Sequence, residues 1–367
     1  MKLKCERAAL YEAVQFAGAL ASTKMAKPIL QNVKMVAEKK QLDVMATDLE
    51  VSIRFRLANV EIGRAGSVAV SAARLLGILR ESPDEQMDIE AGDNKCTLRG
   101  ADSRFEMLGD DPGDFPEIPE ITAVSQIEVR QADFVEMVDK TVFAAASEST
   151  RYALNGVCFV FGANHIEVVA TDGRRLAYIK RKAKGVSSEM GSIIVPRKAL
   201  QHVRRLLTEE DKSVGMNVNE NRIILQTSRA LVSSVLVEGH FPPYKEVIPK
   251  DSDKKATLKR EAFLGAIRRA ALLTTEEARS VRMDFSKDLV VLTSEAPEAG
   301  KAEVKLGLEY EGDKVSIAFN PNFITDVLRV IESEDVVVEM KDATRPAVIH
   351  DGSDYIYVVM PINILGE

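Results

Sequence analysis

Histidine and cysteine side chains are the groups in this sequence best suited to bind a metal or to act as nucleophiles. The histidines are His165, His202, His240 and His350. The cysteines are Cys5, Cys96 and Cys158. No pair of these residues has the spacing of metal ligands, and an odd number of distant cysteines argues against a disulfide framework or a structural zinc. The sequence predicts no metal site, no cofactor and a reducing compartment.

Asp172 is the best local candidate for a catalytic group. It lies in the segment Ala-Thr-Asp-Gly-Arg-Arg-Leu, where Asp172-Gly173 is flanked by alternating apolar residues. That pattern is typical of a tight hairpin turn, with Gly173 supplying a positive φ. Phosphate-binding glycine loops and the nucleophile elbow of hydrolases are missing from the sequence. A turn is therefore the favoured interpretation, and a hydrolase that uses Asp172 is the weaker alternative. An acid–base site formed by a pair of carboxylates remains a further alternative.

The elements that must position such residues repeat along the chain. Thr47, Thr171 and Thr293 end similar apolar runs, and two further landmarks recur in the same register, at intervals of about 125 residues. Three coincident landmarks indicate three copies of one domain. The expected domains are residues 1–124, 125–252 and 253–367.

Each copy has the same predicted order of elements. An opening helix is expected at 7–20, 131–146 and 260–273, and a second helix at 71–80, 196–207 and 320–331. Ser71 and Asn320 are suited to cap the second helix. Short alternating runs, typical of half-buried antiparallel strands, fill the rest. The predicted fold class is α+β, with two helices packed on antiparallel sheets in each domain.

The net charge of the chain is less informative than the distribution of charge along it. The formal net charge is −7, which by itself argues against a nucleic-acid partner. Residues 125–252 are net positive, however, and the helix at 196–207 separates an apolar face from a basic arc. The apolar face is Ala199, Leu200, Val203, Leu206 and Leu207, and the basic arc is Arg197, Lys198, Arg204 and Arg205. A solvated charged face and a phosphate-contacting surface are both compatible with this pattern.

Several classes of protein are excluded by composition. The first residues lack the apolar core of a signal peptide, and no apolar stretch is long enough to span a membrane. Tryptophan is absent and aromatic residues make up 5%, so a base-stacking platform for single strands is not expected. We expect a cytoplasmic protein with no membrane partner.

Motifs along the whole chain resemble the bacterial DNA polymerase III beta subunit family, the sliding clamps. The matching segments are Lys27-Pro28-Ile29-Leu30, Ala46-Thr47-Asp48-Leu49-Glu50, Arg151-Tyr152-Ala153-Leu154-Asn155-Gly156, Ala170–Leu176, Val195-Pro196-Arg197-Lys198, Phe241-Pro242-Pro243-Tyr244 and Tyr357-Val358-Val359-Met360-Pro361. Each segment is short, but their order and distances together are specific.

The resemblance implies a function without catalysis. It implies three DNA-clamp domains per chain and a homodimer whose six domains form a ring around double-stranded DNA, bound without sequence preference. Such a ring is the processivity subunit of a polymerase holoenzyme. Its implied partners are the DNA polymerase III catalytic subunit, a clamp loader, and other polymerases and repair proteins that bind through short peptide motifs.

The resemblance also implies three sets of functional residues. Those that contact DNA are Lys24, Arg74, Tyr152, Arg197, Arg204 and Arg205. Those that line a peptide-binding groove are Leu154, Thr171, Gly173, Arg174, Arg175, Leu176, Pro242, Val247, Asn320, Phe323, Val358, Met360, Pro361 and Ile362. Those at the dimer interface are Arg74, Ile78, Phe105, Leu108, Leu272 and Leu273. A three-domain scaffold that binds peptides without encircling DNA remains a rival interpretation.

Overall fold

The computed structural model describes residues 1–21, 27–120, 125–147, 152–209, 211–276 and 279–363. Within these ranges there are two α-helices in each predicted copy. They are α1 (Arg7–Gly18), α2 (Ala72–Glu81), α3 (Gln131–Asp139), α4 (Arg197–Leu206), α5 (Arg260–Ala270) and α6 (Pro321–Val330). None of these helices combines the length and apolarity that a bilayer crossing requires. The predicted number and order of helices are confirmed.

Strands make up most of the remaining described chain. The first copy contains β1 (Lys2–Glu6), β2 (Asn32–Glu38), β3 (Gln41–Thr47), β4 (Val51–Leu57), β5 (Glu61–Arg64), β6 (Gly66–Ser71), β7 (Gln86–Gly92), β8 (Lys95–Arg99) and β9 (Arg104–Asp110). The second contains β10 (Ile127–Arg130), β11 (Gly156–Gly162), β12 (His165–Thr171), β13 (Arg175–Lys182), β14 (Ser192–Pro196), β15 (Ser213–Asn219), β16 (Arg222–Gln226) and β17 (Ala230–Val235). The third contains β18 (Lys254–Lys259), β19 (Val281–Ser286), β20 (Leu289–Ala296), β21 (Gly300–Gly307), β22 (Glu309–Glu311), β23 (Val315–Phe319), β24 (Asp335–Met340), β25 (Ala347–Asp351) and β26 (Tyr355–Val359).

The helix ends follow local side-chain chemistry. The side chain of Ser71 accepts a hydrogen bond from the backbone of α2, and Asn320 Oδ1 accepts one from the first turn of α6 at 3.0 Å. Both predicted caps are confirmed. Helix α3 ends earlier than predicted, because Thr141 Oγ1 donates to the carbonyl of Met137 at 2.5 Å and the chain continues as a short 3-10 helix, Val142–Ala144.

The chain forms two compact units, of which the first contains Met1–Phe134 and Lys198–Leu236. This unit has one antiparallel sheet of 13 strands, in the order β10-β15-β16-β17-β4-β3-β2-β6-β9-β8-β7-β1-β5. Helix α1 packs on β3 and β4, where the rings of Phe16 and Phe55 stack at 6.0 Å. The pairing of β17 with β4 joins strands from the first and second copies into one sheet.

The second unit contains Val135–Arg197 and Val237–Glu367. Its nine-stranded sheet has the order β14-β11-β12-β13-β26-β25-β24-β18-β22, and a four-stranded sheet has the order β21-β20-β19-β23. Helix α5 packs against α6 and against β20 and β21. Strand β13 pairs with β26 from Arg175 opposite Val359 to Ile179 opposite Tyr355, which joins strands of the second and third copies.

A buried cation anchors α3 to the strands of this second unit. Lys140, 5% exposed, lies 2.7 Å from carboxylate oxygens of both Glu136 and Asp351. Its Nζ is 5.2 Å from the centre of the Tyr355 ring, and Arg181 also pairs with Glu136. Burial raises the pKa of each carboxyl group, but the hydrogen bonds and charges of the cations outweigh burial and hold both pKa values below their ordinary range.

We predict that Lys140→Met lowers the free energy of unfolding by about 3–5 kcal/mol at pH 7, because two carboxylates lose a buried partner. A carboxyl pKa that is lowered by folding stabilises the protein above the ordinary carboxyl pKa, and this contribution is lost as the pH falls through the lowered value. The difference between variant and parent in urea unfolding is therefore expected to shrink in acid. Lys180→Met, at an exposed position of β13, is the control; an equal loss there would contradict the role given to Lys140.

Candidate functional site

The turn between β12 and β13 is the centre of the candidate site. Thr171 Oγ1 donates to the carbonyl of Arg175 at 2.6 Å, and Asp172 Oδ1 accepts from the backbone N–H groups of Arg174 and Arg175 at 2.9 and 3.1 Å. Gly173 has a φ of 88°, as the hairpin interpretation predicts. The carboxylate of Asp172 is thus occupied by holding the turn.

The guanidinium of Arg175 is the buried support beneath this turn. Nε lies 3.0 Å from Asp172 Oδ2, Nη1 lies 2.7 Å from Asp326 Oδ2, and Nη2 donates to the carbonyl of Phe143 at 2.7 Å. Its Cζ is 5.4 Å from the ring centre of Phe143 and 4.5 Å from that of Phe323. Burial lowers the pKa of Arg175, but contacts with Tyr357, Asp326 and Asp172 outweigh it and the net pKa is raised. One planar cation therefore joins the turn, α6 and the short 3-10 helix.

A cavity of about 210 Å³ opens beside the turn. Strand pairing brings Val358 opposite Leu176, and the N–H of Met360 donates to the carbonyl of Arg174 at 2.8 Å. Val247 and Met360 are unusually exposed for apolar residues, at 54% and 43%. The cavity is lined by Leu154, Thr171, Gly173, Arg174, Arg175, Leu176, Pro242, Tyr244, Val247, Val358 and Met360. An apolar floor with the flexible side chain of Met360 at its mouth suits the apolar anchors of a short peptide.

Ten of the fourteen residues expected in a peptide groove line this cavity. The other four are Asn320, Phe323, Pro361 and Ile362, and the cavity wall does not include them. Asn320 caps α6, Phe323 lies against Arg175, and the N–H of Ile362 donates to the carbonyl of Ala318 at 2.7 Å. Pro361 lies between Met360 and that bond. Phe323 thus contacts a residue of the cavity wall, Arg175, whereas the bonds of Asn320 and Ile362 are to residues outside that wall.

Tyr244 lines the cavity but was not predicted from the sequence. Its hydroxyl donates to Glu167 Oε2 at 2.5 Å, and Lys245 Nζ lies 3.0 Å from the same oxygen. Burial raises the pKa of the Glu167 carboxyl, but the hydrogen bonds from Tyr244 and Lys245 outweigh it and the net pKa is lowered. These bonds fix the segment that carries Pro242 and Val247. The only sequence signal was the aromatic end of Phe241-Pro242-Pro243-Tyr244.

The residues expected to contact DNA are exposed or half-buried where the structure describes them. Arg74 is exposed on α2; on α4, Arg205 is exposed, whereas Arg197 and Arg204 are half-buried. Lys24 lies outside the described residues. For Tyr152, the structure describes the backbone, which begins the 3-10 helix Tyr152–Asn155.

The apolar face predicted for α4 is largely confirmed. Its buried residues are Ala199, Leu200, His202, Val203 and Leu206. Leu207, predicted to be buried, is only half-buried because it follows the last helical residue, and His202 joins the buried face instead. Burial and the neighbouring cations Lys198 and Arg205 lower the pKa of His202 to about 4. The helix therefore carries its positive charge on arginine and lysine rather than on histidine.

Two of the residues expected at a dimer interface are strongly exposed leucines. Leu108 on β9 is 72% exposed and Leu272 is 78% exposed. Arg74 is also exposed, whereas the other three, Ile78, Phe105 and Leu273, are half-buried. Both leucine side chains are thus accessible for the contact that the resemblance implies.

The sequence matches family models for all three domains of one protein. These are the N-terminal domain of the DNA polymerase III beta subunit at residues 1–119, its central domain at 128–243 and its C-terminal domain at 245–363. Beta sliding clamps from Pseudomonas aeruginosa and Vibrio cholerae are each 32% identical, over 99% of this chain and 100% of theirs. A sliding clamp from Pseudomonas aeruginosa bound to griselimycin has a TM-score of 0.93 and 32% identity, over 99% of this chain and 100% of that one.

We predict that Arg175→Lys lowers the free energy of unfolding by about 2–3 kcal/mol. A lysine ammonium cannot reproduce three guanidinium contacts in one plane or the contact with two rings. Urea unfolding measures the loss, and Arg174→Lys, at the exposed neighbouring position, is the control with little expected effect. Equal stability of the Arg175→Lys variant and the parent chain would show that the guanidinium geometry is unimportant.

Proposed function

The chain belongs to the DNA polymerase III beta subunit family, the beta sliding clamps, and on that premise we propose that two copies close into a ring around duplex DNA. It functions as a DNA polymerase III sliding clamp, a processivity factor and not an enzyme. The observation that carries this conclusion is the match of all three family domains, in order, along one chain. We propose domain boundaries near residues 124 and 252. The interval between the first two matches, from 119 to 128, supports the first boundary, whereas the C-terminal match begins at residue 245, before the second.

The proposed dimer interface joins β9 of one copy to β21 of the other. Over residues 104–108, β9 pairs with β8 on one side and has no strand on its other side among the described residues. Strand β21 is the edge of its sheet in the same part of the chain. Open strand edges tend to pair, and the exposed Leu108 and Leu272 supply apolar surface beside them. These features support a head-to-tail contact that also involves Arg74, Ile78, Phe105 and Leu273.

The proposed DNA contacts are electrostatic and independent of sequence. Arg74 on α2 and the α4 side chains of Arg197, Arg204 and Arg205 carry the charge, together with Lys24 and Tyr152. Arginine contacts with phosphates hold a duplex without reading its bases, and their strength falls as salt rises. Contacts of this kind suit a ring that must slide.

The proposed partner site is the cavity beside the 171–175 turn. A short peptide places apolar anchors against Leu154, Leu176 and Val358, Met360 adjusts at the mouth, and Val247 adds apolar surface there. Each well-buried anchor contributes about 1.5–3 kcal/mol, which corresponds to partners that bind and exchange readily. Its proposed occupants are the DNA polymerase III catalytic subunit, the clamp loader, and other polymerases and repair proteins, all acting in the cytoplasm.

We predict that the chain, once loaded, stays on circular DNA and is lost when that DNA is linearised, since a closed ring leaves only over an end. Leu108→Asp is expected to prevent retention on either form and to yield a monomer at micromolar concentration in native mass spectrometry. Leu49→Asp, at another exposed leucine, is the control and should behave as the parent chain. Equal loss from circular and linear DNA would contradict topological linkage.

We predict that Met360→Ala lowers the affinity for a fluorescent peptide with adjacent leucine and phenylalanine by about tenfold. The reason is that the methionine side chain covers the bound anchors. Fluorescence anisotropy measures the affinity, and native mass spectrometry checks that the dimer persists. Leu49→Ala removes an exposed apolar side chain outside the cavity and should leave the affinity unchanged. Normal peptide affinity in Met360→Ala would remove this residue from the groove.

A further inference from the structure

A second cavity, of about 970 Å³, lies within the first unit and has no part in the proposed clamp function. Strands β2, β3 and β4 form its floor, Arg222 of β16 adds to it, and the segment 116–120 passes along one side. All of these elements belong to the same compact unit.

The floor of this cavity carries a surplus of positive charge. Its half-buried cations are Lys34, Arg54, Arg56 and Arg222, and its buried anion is Asp43. The remaining acidic lining residues, Glu38, Glu117 and Glu120, are all exposed. Solvent therefore screens the acids at the rim far more than the cations below them.

Asp43 neutralises only part of that charge. Its carboxylate accepts from Arg54 Nη1 at 3.0 Å and from Arg56 Nε and Nη2 at 2.8 and 2.9 Å. Lys34 Nζ lies 5.9 Å from the ring centre of Phe115, and Arg222 Nη1 donates to Ser233 Oγ at 3.0 Å. Neither of these two contacts supplies a negative charge, so an anion in the cavity would be attracted to both side chains.

The second copy of the domain shows that the fold itself does not require a cation at the position of Arg54. Arg54 pairs across the sheet with Met45, and in the same register of the second copy Tyr178 pairs with Val169. There the ring of Tyr178 stacks on Tyr244 at 6.0 Å and belongs to an apolar cluster. The second copy thus fills with aromatic rings the place where the first copy has arginine and an open cavity.

We infer that this cavity binds a short acidic peptide segment of a protein partner. Carboxylate side chains would reach Lys34 and Arg222, while Val36, Ile118 and the prolines of the 116–120 segment accommodate the peptide's apolar parts. A continuous polyanion such as nucleic acid would have to cross the exposed carboxylates of Glu38, Glu117 and Glu120. The rim therefore favours a peptide with a few charged side chains.

The test measures binding of a fluorescein-labelled peptide, Glu-Ala-Glu-Glu-Ala-Glu, to the full chain in low salt. Binding is measured by fluorescence anisotropy. The double variant Lys34→Gln with Arg222→Gln should weaken binding by about tenfold or more. Arg54 and Arg56 are left in place because they neutralise Asp43. Arg282→Gln removes one exposed charge on β19, away from the cavity, and should leave binding unchanged.

Four results would overturn the inference. The first is equal binding of a peptide with glutamine in place of glutamate, and the second is unchanged binding of the acidic peptide by the double variant. The third is displacement of the acidic peptide by the same concentration of inorganic phosphate, and the fourth is its displacement by an equal charge concentration of duplex DNA. Phosphate displacement would identify a simple anion site, and duplex displacement a nucleic-acid surface. Unchanged urea unfolding of the double variant ensures that lost binding reflects lost charge.

Discussion

Antiparallel pairing between strands of successive repeats is the constraint on which the rest of this structure depends. Strand β4 pairs with β17, and in the same register of the next repeat β13 pairs with β26. The second pairing places Val358 opposite Leu176 and brings Met360 to the carbonyl of Arg174. Because a shift of one residue would turn every side chain to the other face of the sheet, this register decides whether the peptide cavity exists.

The corresponding turns of the first and second repeats show which interactions define the turn and what the glycine contributes. Thr47 Oγ1 donates to the carbonyl of Val51 at 3.0 Å, as Thr171 Oγ1 does to its counterpart in the second repeat. At the apex, Leu49 has a φ of 80° where Gly173 has 88°. A leucine in the left-handed region is strained by roughly 1–2 kcal/mol. The hydrogen bonds of the threonine and aspartate therefore define the turn, and glycine only removes strain from it.

Local chemistry in the sequence was sufficient for the helices, their caps and the Asp172-Gly173 turn. The cavity beside that turn was reached only through a family resemblance, since no spacing brings Leu154, Val247 and Met360 together before the sheet is paired. Tyr244 is not predicted from the sequence because its place at the cavity depends on a hydrogen bond to Glu167, which is far away in the sequence. The basic cavity was missed for the same reason, as its cations come from β2, β4 and β16 and meet only in the folded sheet. Net charge was misleading because a sum contains no position.

The candidate peptide site combines a rigid support with an adaptable mouth, and this division suits the proposed binding of several partners at one site. Arg175 is held by two carboxylates, a carbonyl and two aromatic rings, so the turn has little freedom left to lose when a peptide binds. Met360 and Val247 are exposed at the mouth, and the unbranched side chain of Met360 can change rotamer at low cost. A floor ordered in advance limits the entropy lost on binding, while a mouth without fixed shape accepts different anchors. Under the proposed function, affinity depends on the number of apolar anchors that a partner supplies, and partners exchange because the site offers no fixed network of polar contacts matched to one of them.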